Sequence, residues 1–226
     1  MTVWITRTRP GADQTAERLR ALGVVALVDP VLDVRRLDVE VDTRGYQALA
    51  FTSPNGVEAF CALSKKRDLP AFAVGDATAA ALTQAGFASV ESASGDVEAL
   101  AALLLARRAG RVLAPGAADP AADLGALASG PGVEVTALPV YQTVERQPET
   151  ALTDAGIKTV MIHSPRAARQ VLSVAPDWLS RLDVVALSAA CAAPFEGRSA
   201  KSVAVAPFPD DASLVRLTAD VVSKAP

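Results

Sequence analysis

At 226 residues and a net charge of −3, the chain is long enough for one domain or two small ones. It carries no excess of positive charge for a non-specific nucleic-acid surface. Half of its residues are hydrophobic, ample for a core, yet no run of about 18 apolar residues offers a membrane span.

The N-terminal MTVWITRTRP reads as a strand and a turn rather than an export signal. Cys61, Cys191 and the single His163 do not form a zinc-ligand pattern, and two cysteines in a chain of this length read as reduced thiols of a cytoplasmic protein. A Walker loop, a G-x-G-x-x-G turn and a histidine-based nucleophile signature are all missing, so no metal or nucleotide cofactor is expected.

In chain order, VWITR (3–7) reads as a strand and GADQTAERLRALG (11–23) as a helix. VVALVDPVLDVRRL (24–37) is an extended segment. Strand ALAFTS (48–53), helix NGVEAFCALSKK (55–66), strand AFAVG (71–75) and helix DATAAALTQAG (76–86) follow. RVLAPG (111–116) opens another strand–helix unit, leading to VEVTALPVY (133–141). TVMIHS (159–164), VVALS (184–188) and SVAVAP (202–207) each precede a helical pattern. Continuous apolar runs alternating with amphipathic helices predict buried parallel strands and α/β architecture.

The chain also repeats itself. GVVALVDPV (23–31) aligns with GVEVTALPV (132–140), FTSPNGV (51–57) with IHSPRAA (162–168), and AVGDATAAAL (73–82) with ALSAACAAPF (186–195). SVESASGDVEAL (89–100) resembles SVAVAPFPDDASL (202–214). This period is too long for a solenoid and fits two similar parallel-sheet α/β domains. The block order predicts a discontinuous first domain, 1–36 with 146–226, and an inserted second domain, 37–145. PVLDVRRL and PVYQTVER would be the two strands linking them. A simple split near residue 110 is the competing topology.

Taken together, ITRTRPGADQTAERLRALG, FTSPNGVEAF, AVGDATAAAL, PVYQTVE and HSPRAA resemble the uroporphyrinogen-III synthase family in order and spacing. The resemblance spans nearly the whole chain. It implies two α/β domains on a two-stranded connection, the first of them discontinuous. It also implies a cofactor-independent lyase acting on hydroxymethylbilane, a linear tetrapyrrole with eight carboxylates. Loss of the terminal hydroxyl as water leaves an azafulvene cation, and attack at the substituted carbon of ring D forms a spiro intermediate. Fragmentation and reclosure then invert that ring. The expected partner is this small molecule, received from the preceding pathway enzyme by a monomeric protein, with no nucleic acid or membrane involved. A non-catalytic sensor of the same fold is the alternative.

A mildly acidic protein must bind such a polyanion through local donors. Helix N-termini supply them, as unpaired N–H groups at the positive end of the helix dipole. Strand-to-helix turns are predicted after Arg7, Ser53, Gly75, Pro115, Ser164 and Ser188, lining a cleft if the two domains face one another. Ser53 and Ser164 fit as helix caps and as carboxylate ligands, with Pro54 and Pro165 at the first helical positions. Asn55 and Arg166 follow them as candidate contacts. Arg7 is the better carboxylate contact of the pair Arg7 and Arg9. Gly75 permits close approach or an unusual backbone angle, and Asp76 should face the amides of its helix. The resemblance adds Thr78 as a substrate-facing hydroxyl and Tyr141 as the catalytic residue, a neutral donor to the departing hydroxyl.

One turn departs from the family. In LSAACAAPF (187–195), Ser188 stands where a glycine is expected, and Ala190 and Cys191 occupy the threonine places. A thiol is a weak donor, so recognition there falls to backbone amides, and Cys191 reads as a small packing residue. His163 reads as a packed strand-end residue, and the cluster Lys65–Lys66–Arg67 as a solvated helix end.

Overall fold

A computed structural model describes residues 1–150 and 156–224 of the chain. Its contacts divide it into two compact units, Met1–Asp33 with Val144–Pro226, and Val34–Thr143. No described helix is long and apolar enough to cross a membrane.

The first unit is built on five strands: β1 (Thr2–Ile5), β2 (Val25–Val28), β9 (Ile157–Ile162), β10 (Asp183–Ala186) and β11 (Ser202–Val205). Their order is β11-β10-β9-β1-β2, every pairing parallel. Alternate side chains of the buried strands feed two cores. Trp4, Val160, Ile162 and Val184 pack against Ala167, Ala168 and Val171 of α6 (Pro165–Val174). Val3, Ile5, Met161 and Val185 face the other way. They meet Leu19 of α1 (Gly11–Ala21) and Leu214 and Val215 of α8 (Asp211–Lys224). A sheet covered on both faces is why these strands read as unbroken apolar runs.

The second unit holds a six-stranded sheet of β3 (Leu32–Arg36), β8 (Val133–Glu145), β7 (Gly110–Ala117), β4 (Ala48–Phe51), β5 (Ala71–Ala73) and β6 (Val90–Ser92), in that order. The chain leaves the first unit within β3 and returns to it within β8, and these strands are neighbours. One face packs Ala48, Ala50, Phe72 and Val112 on Leu100 and Leu104 of α4 (Val97–Arg107). The other packs Leu49, Phe51 and Leu113 on Val57 and Phe60 of α2 (Pro54–Leu63) and Leu82 of α3 (Asp76–Gln84). Phe51 and Phe60 meet edge to face with centroids 5.6 Å apart.

Three local expectations are revised. The segment 24–37 is two strands, β2 and β3, separated at Asp29–Val31 and assigned to different sheets. Pro115 lies inside β7, because parallel pairing with β8 carries that strand on to Ala117; the helix that follows, α5 (Leu124–Leu127), is a single turn. Arg67 is not simply solvated. Its guanidinium lies 5.0 Å from the Phe87 ring centroid and donates to the carbonyls of Ala85 (3.0 Å) and Ser64 (2.9 Å). The cation thereby covers an aromatic edge of the core and ties down the end of α2.

Glycine at position 56 sets how closely α2 approaches β7. A β-carbon there would stand 2.9 Å from the Pro115 carbonyl oxygen, a backbone atom with little freedom to retreat. Gly56→Ala should therefore separate the two elements and destabilise the protein by about 1–3 kcal/mol. Thermal unfolding should show a midpoint lowered by several degrees, and an unchanged midpoint would contradict this packing.

Candidate functional site

Within each unit, the parallel strands that lead into helices do so at one edge of the sheet. Four helix caps, two in each unit, share one backbone form: Ser53 (φ −162°, ψ 154°) and Gly75 (−161°, 177°) in the second, Ser164 (−154°, 153°) and Ser188 (−155°, 169°) in the first. Ser53 Oγ accepts the Gly56 N–H at 3.2 Å, and Ser164 Oγ accepts the Ala167 N–H at 3.1 Å. Pro54 and Pro165 occupy the first positions of α2 and α6, where a missing N–H leaves no bond unmade. The expected caps are thus present at both copies of the Ser-Pro turn.

In the second unit, Ser53 Oγ also lies 3.0 Å from Tyr141 Oη. Tyr141 is on β8, 7% exposed, its ring packed with Ala59 and Val140. Its carbonyl accepts the Ala118 N–H at 2.8 Å, which pins the loop after β7. Between that loop and the strand ends lies a cavity of about 340 Å³, lined by Thr52, Ser53, Val74, Asp119, Pro120, Tyr141 and Thr143 among others. The Ser53–Tyr141 pair contains two O–H groups and uses one between them. Whichever way that bond runs, one O–H remains to donate elsewhere.

The other candidates separate by environment. Asn55 and Arg166 sit half-buried at the second positions of α2 and α6. Gly75 is in ordinary extended backbone, and an added β-carbon would meet only normal contact, 3.6 Å from the Gly95 carbonyl oxygen; no unusual angle demands glycine here. Thr78 is 2% exposed inside the first turn of α3, turned from solvent. Asp76 does not cap its helix. It accepts from the Ser92 hydroxyl at 2.7 Å and the Ser94 hydroxyl at 3.0 Å, which hold its carboxyl below the usual range. At the departing turn, Ser188 caps α7 (Ala189–Ala192), and Ala190 is exposed. Cys191 is 3% exposed, its side chain packed in the first unit's core and accepting from Ser188 Oγ at 3.3 Å.

Arg7, in the first unit, follows β1 and donates to Asp211 Oδ1 at 3.1 Å. Thr15 Oγ1 donates to the same oxygen at 2.8 Å, and His163 Nε2 is 3.3 Å from it. Burial pushes the His163 imidazole below the ordinary histidine range, despite the opposing hydrogen bond to Asp211. Burial would raise the Asp211 carboxyl, but hydrogen bonds from His163, Thr15 and Arg18 outweigh it and hold the group well below the usual carboxylate range. The neutral ring gives its N–H to Asp211, and His163 Nδ1 finds no hydrogen-bond partner among the described residues. Sequence reading missed Asp211, because DD at 210–211 reads simply as a helix start. Asp210 does cap α8, accepting the Ser213 N–H at 2.7 Å; the role of Asp211 exists only once β1, β9 and α1 are assembled. Among the described residues, no group of three His, Cys, Asp or Glu side chains is placed to hold a metal.

The family model of uroporphyrinogen-III synthase HemD matches residues 13–216. The chain belongs to the uroporphyrinogen-III synthase family. Two solved structures show the same fold. A uroporphyrinogen-III synthetase from Helicobacter pylori is 18% identical, with a TM-score of 0.71 over 97% of this chain and 98% of that one. A mutant uroporphyrinogen III synthase from Thermus thermophilus is 16% identical, with a TM-score of 0.55 over the whole of both chains. No curated protein matches the chain significantly. The uroporphyrinogen-III synthase family is one of cofactor-independent cyclising lyases.

The buried histidine gives the stability of this synthase-family chain a pH signature. An unfolded histidine takes up a proton near pH 6.5 that the folded His163 resists, so stability should fall as pH drops from about 7 toward 5. Asp211 acts lower. Its stabilisation is present above the ordinary carboxylate range, near pH 4, and is lost as pH falls below it. His163→Gln keeps an N–H donor but no titrating ring. It should flatten the unfolding midpoint between pH 7 and 5 while leaving the acid limb, a pattern that thermal melts across pH will show or refute.

Proposed function

We infer that the chain is a working uroporphyrinogen-III synthase, converting hydroxymethylbilane to uroporphyrinogen III with loss of water and inversion of ring D. The observation that carries this beyond family membership is the Ser53–Tyr141 hydroxyl pair opening on a cavity at the strand-end edge. A cavity of about 340 Å³ suits one substituted pyrrole with its acid arms rather than a whole tetrapyrrole. We assign it to the ring that bears the departing hydroxyl.

On this reading the spare O–H of the pair donates to the hydroxyl as it leaves. The pyrrole nitrogen supplies the electron push, so no base is required at this step. The acid arms of the bilane bind to amides at the turns headed by Ser53, Gly75, Ser164 and Ser188, helped by Asn55, Arg166 and Arg7. Such charge-assisted bonds contribute roughly 1.5–3 kcal/mol each. Selection of the III isomer is a matter of orientation, since the substrate left alone closes on the unsubstituted carbon; positioning of this kind supplies several kcal/mol. That tendency to close in solution also supports direct receipt of the bilane from the enzyme that makes it. We place the chain in the cytoplasm as a monomer. The Ser188–Cys191 turn keeps the backbone of its counterparts, so its altered side chains do not favour a non-catalytic sensor.

The test is a coupled assay on freshly generated hydroxymethylbilane, with isomer analysis of the oxidised porphyrin. The wild-type chain should yield the III isomer well above the spontaneous I isomer. Tyr141→Phe should remain folded, still form the III isomer, and turn over roughly 10- to 100-fold more slowly, at or below the lower end of general-acid contributions. Complete inactivity of folded Tyr141→Phe would contradict the assisting role of the phenol. A wild-type product composed of the I isomer alone would overturn the assignment.

A further inference from the structure

Asp211 draws two arginines together. Arg7 reaches its Oδ1, and Arg18, from the second turn of α1, reaches its Oδ2. Side-chain exposure is 35% for Arg7, 51% for Arg18 and 17% for Asp211, so the carboxylate is inside and the guanidiniums are outside it. Each arginine donates from its Nη1, leaving other donors of a five-donor fork for a second anion.

The charge balance favours such an anion. Two guanidiniums face one carboxylate, and the adjoining His163 is kept neutral by burial. One positive charge therefore remains, on a chain whose total is −3. The neighbouring Asp210 spends its carboxylate on its own helix, accepting from the N–H and hydroxyl of Ser213. Gly11 completes the platform. A β-carbon there would lie 2.6 Å from Arg7 Nη2, so Arg7 can rest on the first turn of α1 only because the position has no side chain.

We propose that Asp211 gathers Arg7 and Arg18 into a paired-guanidinium subsite that binds one carboxylate arm of the linear tetrapyrrole. This rests on the synthase reading above and extends it to Arg18 as a substrate contact and Asp211 as a positioning residue. Two guanidiniums this close repel unless an anion bridges them. Asp211 provides that bridge in the free protein, and the substrate carboxylate joins it to complete a neutral group of two cations and two anions.

Three variants separate this from a purely structural brace. Arg18→Gln removes one cation. Gly11→Ala displaces the Arg7 guanidinium without changing any charge. Asp211→Asn makes the site more positive by one but removes the bridge. KM and kcat for hydroxymethylbilane, Kd for uroporphyrin III by fluorescence at low and high salt, and unfolding midpoints are read for each. Arg18→Gln should raise KM and Kd about tenfold and flatten the salt dependence of Kd, with kcat held within about twofold. Gly11→Ala should shift KM in the same direction by a smaller factor. Asp211→Asn should also raise KM, whereas simple attraction to net charge would lower it. Lowered midpoints with wild-type KM and Kd in Arg18→Gln and Gly11→Ala would overturn the subsite, as would tighter binding by Asp211→Asn. Wild-type protein that makes no III isomer would instead overturn the synthase reading on which the subsite depends.

Discussion

Parallel pairing dictates where this chain can place polar donors. A strand joined to a parallel neighbour must return by a crossover, so each helix begins at the edge where its strand ends. In the first unit that edge collects the turns after β1, β9, β10 and β11; in the second it collects those after β4, β5, β6 and β7. Unsatisfied helix N–H groups concentrate there without any excess of lysine or arginine. A chain of net charge −3 can thus present anion-binding surface to a polycarboxylate substrate while its total charge stays mildly acidic.

Within that constraint, single hydroxyls and carboxylates serve two ends. Ser53 Oγ caps α2 and orients Tyr141 Oη, so the residue that starts the helix also fixes the proposed acid. Gly56 lets the same helix approach the Pro115 carbonyl of β7 closely. Asp211, on α8, joins α1 to the turns after β1 and β9 through one carboxylate, and the proposed subsite would put its bridging of two arginines to chemical use. Where stability and recognition share atoms, substitutions must be read by binding and by unfolding together. A loss of activity alone does not say which was damaged.

Much of this was legible in the residues. Short apolar runs between amphipathic stretches announced buried parallel strands. The pattern Ser-Pro after such a run announced a capped helix, and both copies, at 53 and 164, are built that way. Local signals failed where tertiary partners decide. Nothing within RVLAPG says that β8 will extend the strand past Pro115. The role of Arg67 depends on the rings of Phe60 and Phe87, which meet it only in the folded unit. Asp211 was invisible for the same reason: four donors from separated elements converge on it only in the folded unit.

The central claim is that the strand-end turns, through their main-chain amides, bind the tetrapyrrole. Amide hydrogen exchange of the chain with and without uroporphyrin III tests it most directly. The account predicts slowed exchange at Asn55–Val57, Asp76–Thr78 and Arg166–Ala168, with little change at the opposite sheet edges. Unaltered exchange at all of these turns under saturating ligand, or protection confined to the opposite edges, would contradict it.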